Sequence, residues 1–313
     1  MMENVNKLFR RKSKKSGEVS LLSAIISDRL AFAGLIIVGV FFGWAILQGS
    51  LEVLSTYLRY PRLSYILLPH DPFAFTDNIA SGLVLHPPST TYLFGTNADG
   101  EDILSRILYA MPKDAFVSVF VVFSAILFGA ILGITAGFRG RYFNEVIMRL
   151  TDAFLSLPAL ILVIAISVPL KGGFDAVLIS LSLVWWPTYT RFFRAETLRI
   201  KNLDFIVASK LSKISRMKFF YKYLFKNSVD PIIAYAALDF GNVILTYSTL
   251  AFLGIGVQVK YPELGEMASK GLGYLPQAWW YSVFPGLVIL LIVIGFVLLG
   301  DRLQDIVSNR ENR

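Results

Sequence analysis

Hydrophobic positions in this chain are collected in long runs that contain almost no charged residues. The hydrocarbon core of a bilayer is about 30 Å thick, so a crossing helix needs roughly 20 apolar residues, with about 17 to 25 as the usual range. The pattern therefore predicts an all-α membrane protein with six transmembrane helices. The predicted spans are 30–51, 115–138, 153–170, 176–190, 231–259 and 271–300.

Two of the six predicted spans depart from the simple pattern. The run 176–190 is short, and it reaches across a bilayer only if the arginines that follow it, beginning with Arg191, extend their long stems to the interface. The run 231–259 is interrupted by Asp239. Both are still predicted to cross.

The distribution of lysine and arginine predicts the orientation. With a cytoplasmic N-terminus, 23 of the 30 basic residues fall in segments on the inside and seven fall outside. This is the positive-inside bias of membrane proteins, so we expect both termini in the cytoplasm. The net charge of +8 then reflects topology, and nucleic acid is excluded as a partner in favour of the lipid bilayer.

The composition excludes several kinds of chemical site. Apolar residues make up 55% of the chain and charged residues 17%, and the absence of cysteine excludes a disulfide framework or a Cys-ligated metal site. No G-x-x-x-x-G-K-[ST] motif is present to cradle ATP phosphates, and the two histidines, His70 and His86, lie outside and are flanked by prolines. We expect no enzymatic activity, no metal and no cofactor in this chain.

The predicted spans divide the chain into five segments. A basic cytoplasmic tail precedes the first helix, an external segment follows it, and a five-helix core leads to a short cytoplasmic tail. We read the first helix as uncleaved, because no signal-peptidase site follows it. The segments are 1–29, 30–51, 52–114, 115–300 and 301–313, with a cytoplasmic loop at 191–226 inside the core.

An acidic cluster closes the external segment. Asp99, Glu101 and Asp102 stand at the predicted start of a short amphipathic helix, where carboxylates suit the positive end of the helix dipole. The cluster lacks the alternating oxygen ligands and the final glutamate of an EF-hand loop, so capping is favoured over metal binding or substrate capture.

Three glycines in the second predicted span predict close helix packing. Gly129, Gly133 and Gly137 are four residues apart and share one helix face, where a neighbouring backbone can approach.

The cytoplasmic loop 191–226 is too apolar and too helical in pattern to be a linker. Aromatic and aliphatic positions alternate with ten basic residues, which suggests two short helices with an exposed basic face. Such an ordered loop is a candidate docking surface for another protein. The alternative is an interfacial helix that lies on anionic lipid.

A polar stripe in the fifth predicted span is a candidate lining of a transport pathway. Asp239, Asn242, Thr246 and Thr249 fall on one face of an otherwise apolar helix, and a carboxylate inside a membrane is costly enough to suggest function. The alternative is that Asp239 is buried against a polar group of a partner subunit.

Several motifs, in order and with matching spacing from about 94 to 310, resemble the inner-membrane permease subunits of ABC importers for dipeptides, oligopeptides and nickel. The motifs are Gly95-Thr96 through Ser105-Arg106, Met148-Arg149 to Asp152, Trp186-Pro187 through Arg191, Arg194 and Glu196, Asp204-Phe205-Ile206-Val207-Ala208-Ser209-Lys210, Asn227 with Pro231, Leu250 through Gly256, Phe284-Pro285-Gly286, and Leu299-Gly300-Asp301-Arg302.

The resemblance implies a type I importer permease fold and a set of partners. A homologous second permease subunit would complete the pathway, one or two ABC ATPase subunits would bind ATP and Mg, and an external binding protein would deliver the solute. The cytoplasmic loop would dock on the ATPase. The implied coupling residues are Asp204, Phe205, Val207, Ala208, Ser209, Lys210 and Lys213, although Val207-Ala208-Ser209 stands where the family usually has Glu-Ala-Ala and Lys213 replaces a glycine.

Two other classes of function remain open from the residues. A secondary transporter or channel driven by an ion gradient would show inverted repeats and coupling carboxylates at the midplane, and Asp239 is the one carboxylate of that kind. A membrane scaffold without transport activity is the other alternative.

Overall fold

The computed structural model describes residues 21–75, 84–139, 141–201, 226–258 and 261–311. These residues form helices and connecting turns, with a single 3₁₀ turn at Pro61–Tyr65 and one isolated bridge between Thr96 and Asp102. The helices are α1 (Leu21–Ile26), α2 (Arg29–Leu58), α3 (Ile103–Phe138), α4 (Arg141–Leu155), α5 (Ala159–Ser167), α6 (Phe174–Lys201), α7 (Lys226–Phe252), α8 (Leu264–Leu272) and α9 (Trp279–Glu311).

Helix α2 contains the first predicted span and extends beyond it. Asp28 caps its N-terminus by accepting hydrogen bonds from the backbone of Leu30 at 3.0 Å and Ala31 at 3.2 Å. At its other end Arg59 adopts a left-handed conformation with φ 52°, and its N–H closes the last turn on the carbonyls of Ser55 and Thr56. The helix therefore runs past residue 51 to Leu58.

Helix α3 is one continuous helix of 36 residues, although the sequence predicts a short amphipathic helix followed by a separate span. It begins at Ile103, and Pro112 is accommodated inside it. Asp102 is its N-cap and accepts from the backbone of Ser105 at 2.9 Å. The capping role predicted for the acidic cluster thus belongs to Asp102, whereas Asp99 and Glu101 precede the helix.

The most extensive helix contact in the described chain joins α3 to α6. Gly129, Gly133 and Gly137 lie along it, as the sequence predicts. A Cβ at Gly133 would lie 2.8 Å from the Cβ of Phe193 and closer still to the carbonyl of Thr190. The two backbones approach this closely because these positions carry no side chain.

The predicted span 153–170 is interrupted in the structure. Helix α4 ends at Leu155, helix α5 begins at Ala159, and the two meet at a bend of 91°. Pro158 precedes α5 as its N-cap, and a proline disfavours the helical conformation of the residue before it. Helix α4 has one polar and one apolar face, so the break separates an amphipathic helix from an apolar one.

The last three helices pack on one another, and α7 also packs on α3. Helix α7 ends at Phe252, before the turn that contains Gly254 and Gly256, both with positive φ. Helix α8 packs tightly on α7. The close approach is possible because Gly265 has no side chain, and a Cβ there would clash with the carbonyl of Ser248. Helix α9 packs on α2, α7 and α8.

The described helices include several that are long and apolar enough to cross a membrane. Three qualify singly, namely Arg29–Leu58, Ile103–Phe138 and Trp279–Ser308. The bent pair Tyr142–Leu155 with Ala159–Ser167 qualifies only when its two helices are counted together, as a broken span or a re-entrant segment. The fold is thus a helical membrane protein.

Candidate functional site

The polar stripe predicted on the fifth span lies on α7, and the structure divides it between two faces. Asn242 is exposed, and Thr246 and Thr249 are partly exposed. The hydroxyl of Thr246 donates to the carbonyl of Asn242 at 2.8 Å, and that of Thr249 donates to Leu245 at 2.7 Å. These hydroxyls are satisfied by their own helix, so the open face of α7 is only moderately polar.

Asp239 lies on the buried side of the same helix. Its side chain is 6% exposed and interacts with Tyr189 and Trp185 of α6 and with Asn242 one turn along α7. Tyr189 is itself fully buried and stacks edge-to-face with Tyr235 at 5.4 Å between ring centroids. The carboxylate is therefore enclosed by polar and aromatic groups of its own chain, and Asn242 joins it to the open face.

A network of polar contacts fixes the C-terminal part of α6. Residues 191–201, predicted as the start of a loop, belong to this helix in the structure. Arg191 forms an ion pair with Asp152 of α4, and the Nε of Arg194 donates to Asn144 at 2.5 Å. Farther along α6, Lys201 donates to the carbonyl of Gly137 at 3.3 Å. These contacts hold the start of the loop against α3 and α4.

The predicted coupling residues lie outside the described residues. They are Asp204, Phe205, Val207, Ala208, Ser209, Lys210 and Lys213, within the undescribed range 202–225. The structure thus describes the helix before this range, α6, and the helix after it, α7.

The motif beginning at Gly95 joins the chain segment before α3 to α9. The indole of Trp280 donates to the carbonyl of Thr96 at 3.2 Å, and the hydroxyl of Thr96 donates to Val84 at 2.7 Å. The amide oxygen of Asn97 accepts from the backbone of Asp99 and Glu101. Since these polar groups bond one another, the motif positions the start of α3.

The sequence did not predict a buried polar cluster that joins α3 to the start of α8. Asp114 and Glu263 are each 1% exposed, and Lys113 interacts electrostatically with both. Burial, together with the negative charge of Asp114, raises the pKa of the Glu263 carboxyl well above its ordinary value. The only sequence signal was the pair Lys113-Asp114 at the edge of a charge-free run, and Glu263 lies far from it in sequence.

Comparison with known proteins shows which family this chain belongs to. Residues 125–313 match the family described as binding-protein-dependent transport system inner membrane component. The chain is 34% identical over 242 residues to the probable D,D-dipeptide transport system permease protein DdpC of Escherichia coli K12, which covers 77% of this chain and 80% of that protein. It is 35% identical over 255 residues to the dipeptide transport system permease protein DppC of Haemophilus influenzae, covering 80% and 86%.

A further relative, the dipeptide transport system permease protein DppC of Alkalihalophilus pseudofirmus, is 36% identical over 221 residues, covering 71% of this chain and 73% of that protein. The chain belongs to the family of binding-protein-dependent transport system inner membrane components. It is a multi-pass protein of the cytoplasmic membrane and a transport subunit without catalytic activity of its own.

Proposed function

We propose that this chain is the permease subunit of an ATP-driven importer that carries dipeptides or oligopeptides delivered by an external binding protein. The observation that carries the proposal is the similarity to peptide permeases over more than two thirds of both chains. Peptide specificity in such a system lies largely with the binding protein, so the proposal names a substrate class and not one peptide.

The topology that we propose has six crossings with both termini in the cytoplasm. It requires α6 and α7 to cross as well as the four candidate spans. Their 28 and 27 residues correspond to about 40 Å each at 1.5 Å per residue, which is enough for a bilayer. The positive-inside bias supports the same arrangement.

Coupling to ATP hydrolysis is proposed to occur through the loop 191–226. Separate ATPase subunits would bind ATP and Mg and move this loop when they close. The contacts of Arg191 and Arg194 with α4 support the proposal, because a braced attachment transmits a displacement of the loop to the helices. A ligand shifts such an equilibrium only if it binds the two states of the loop differently.

The pathway is proposed to run along the open face of α7, between this chain and a homologous second permease subunit. Asn242, Thr246 and Thr249 would contact the solute. Asp239 is buried against α6, so it would influence the solute only indirectly, through its interaction with Asn242.

Uptake of a labelled dipeptide tests the function. Proteoliposomes that contain the full transporter, with its binding protein outside and ATP inside, should accumulate the peptide. Uptake should stop when ATP is omitted or when the nucleotide-binding lysine of the ATPase subunits is replaced. Uptake driven by an ion gradient without the ATPase subunits would contradict the proposal.

The coupling assignment has its own matched test. Ser209→Asp places a carboxylate in the loop, and Ser308→Asp places one on the exposed C-terminal part of α9. The first variant should lose association with the ATPase subunits in detergent while it still inserts, and the second should retain it. Equal association of both would overturn the assignment of the loop.

A further inference from the structure

The carboxyl groups of Asp114 and Glu263 lie near each other in the interior of the protein. Each residue is 1% exposed, and the two interact electrostatically. Asp114 belongs to α3, and Glu263 is the N-cap of α8. Neither oxygen of Asp114 nor Oε1 of Glu263 has a hydrogen-bond partner among the described residues. These three buried oxygen atoms therefore have no hydrogen bond that would stabilise a negative charge.

A basic residue, Lys113, lies beside the pair, but its ammonium bonds to other groups. It donates to Oε1 of Gln258 at 3.1 Å and lies 4.5 Å from the ring centroids of both Tyr261 and Phe174. Its positive charge favours an ionised carboxylate. At Glu263 burial has the larger effect and raises the pKa well above its ordinary value.

Among the described residues, the other titratable neighbours of the pair are phenols and acids. Tyr247 of α7 is fully buried, interacts with both carboxyl groups and has a hydroxyl without a hydrogen-bond partner in the described part of the chain. The further titratable neighbours are Tyr261 before α8, Glu266 on α8, Asp175 on α6, and Glu52 of α2, which interacts with Tyr261. Because like charges disfavour ionisation, a proton shared by the pair is favoured over two negative charges.

The contacts of Glu263 indicate which of its oxygens would hold a proton. Oε2 accepts from the backbone N–H of Glu266 at 3.0 Å and so caps α8. Oε1 is the buried oxygen without a partner among the described residues. A protonated carboxyl group keeps an acceptor on its other oxygen. A proton on Oε1 therefore neutralises the group and leaves the cap of α8 intact.

Ionisation of both carboxyl groups would act on a closely packed part of the fold. A Cβ at Gly265 would clash with the carbonyl of Ser248 on α7, and a Cβ at Gly271 would lie 2.5 Å from the backbone nitrogen of Ser282 on α9. Two buried carboxylates without bonded cations are costly until water reaches them. Since α8 is packed this closely, water reaches them only if its start moves away.

We propose that Asp114 and Glu263 form a proton-dependent lock. The start of α8 stays packed on its neighbours while the pair keeps at least one proton, and it loosens when both carboxyl groups ionise at alkaline pH. The proposal goes beyond the transport function, because it concerns the response of the fold to pH and not the solute that is carried.

Stability should therefore decrease as the pH rises above about 4, where both carboxyl groups ionise in the unfolded chain. The folded chain keeps a proton on the pair to a higher pH. Between these two pH values the folded state binds more protons than the unfolded state, so the free energy of unfolding falls as the pH rises.

Amide substitutions test the lock, because asparagine and glutamine resemble protonated carboxyl groups and cannot ionise. The thermal midpoint of the full chain in detergent is measured at about pH 6 and about pH 9. The midpoint of the unmodified protein should fall by roughly 2–4 °C more than that of the double variant Asp114→Asn, Glu263→Gln. Glu145→Gln on α4 is the matched control, because Glu145 is exposed, and it should behave as the unmodified protein does.

Two further measurements do not depend on the overall stability of the variants. The infrared band of protonated carboxyl groups at about pH 6 should be stronger in the unmodified protein than in the double variant. Backbone hydrogen exchange in α8, relative to that in α2, should rise with pH only in the proteins that retain both carboxyl groups. Equal pH dependence of the midpoint or of this exchange ratio in the unmodified protein and the double variant, or an identical carboxyl band in both, would overturn the proposal.

Discussion

Two helix surfaces of this protein differ in how closely they are packed. They are the interface between α3 and α6 and the open face of α7. The first is lined by glycines that leave no space for even a methyl group, and it is complete within the chain. The second carries Asn242, Leu245 and Thr246, of which Asn242 and Leu245 are exposed, and no described element of the chain covers them. One surface is closed within the chain, and the other is the proposed site of contact with a solute and a second subunit.

The largest expected effect is on the closed interface. Gly133→Ala should lower the thermal stability in detergent, because the new Cβ would meet Thr190 and Phe193 inside van der Waals contact. Overpacking of this kind costs typically about 1–3 kcal/mol. The thermal unfolding midpoint of the purified chain measures the loss.

The control for that substitution is Gly39→Ala on α2, where a Cβ would find nothing within 4 Å. It should leave the midpoint unchanged or raise it slightly, since alanine is the better helix former. If both variants unfold at the same temperature, the α3–α6 interface is not as closely packed as described.

The second expected effect is on the rate of transport, with little effect on thermal stability. Asn242→Leu should reduce peptide uptake about twofold to twelvefold, the loss expected when one hydrogen bond worth about 0.5–1.5 kcal/mol disappears from the proposed pathway. Its thermal midpoint should fall only slightly, because the side chain is exposed and its one interaction with a buried group is that with Asp239. Uptake in proteoliposomes and thermal unfolding are measured on the same preparation.

A matched substitution on another exposed surface isolates the position of Asn242. Val297→Leu on α9 is also a change to leucine at an exposed site, and Val297 is 40% exposed. It should leave uptake unchanged. A similar loss of uptake in both variants would mean that α7 has no special role.

The smallest expected effect is at the contact between α6 and α4. Arg191→Ala removes the ion pair with Asp152, and both partners are about half exposed. Exposed pairs contribute about 0.2–1 kcal/mol, so the midpoint should fall only slightly. The coupling ratio of peptide transported to ATP hydrolysed should fall more clearly, because the start of the loop would lose a contact. An unchanged ratio would show that the ion pair of Arg191 with Asp152 does not transmit motion from the loop to the helices.

The closed interface was predictable from sequence and the open face only in part. Gly129, Gly133 and Gly137 share one helix face whatever the partner, so their spacing alone predicts close packing. The stripe on α7 was predicted as one surface, but Asp239 turns toward Tyr189, a choice that depends on how α6 packs and not on helical spacing. For the same reason the cluster of Asp114 and Glu263, which are distant in sequence, had no local signal.

Some of the helix boundaries were predictable from sequence and others were not. Apolar runs located α2 and α3, but the run 153–170 did not reveal the sharp bend between α4 and α5. No charged residue interrupts the run at that bend, so Pro158 was the local sign of it. The continuity of α3 through Pro112 was hidden for the opposite reason, because charged residues Lys113 and Asp114 interrupt the apolar pattern without interrupting the helix.

Thiol labelling of the assembled transporter tests most directly the claim that the open face of α7 lines the pathway. The chain contains no cysteine, so single cysteines can be placed at 242, 246 and 249 on α7, at 239 on its buried side, and at 297 on α9. A membrane-impermeant thiol reagent should modify 242 and 246 much faster than 239 and 297, and peptide with binding protein should change the rate. If 242, 246 and 249 are as unreactive as 297, the α7 face does not line an aqueous pathway.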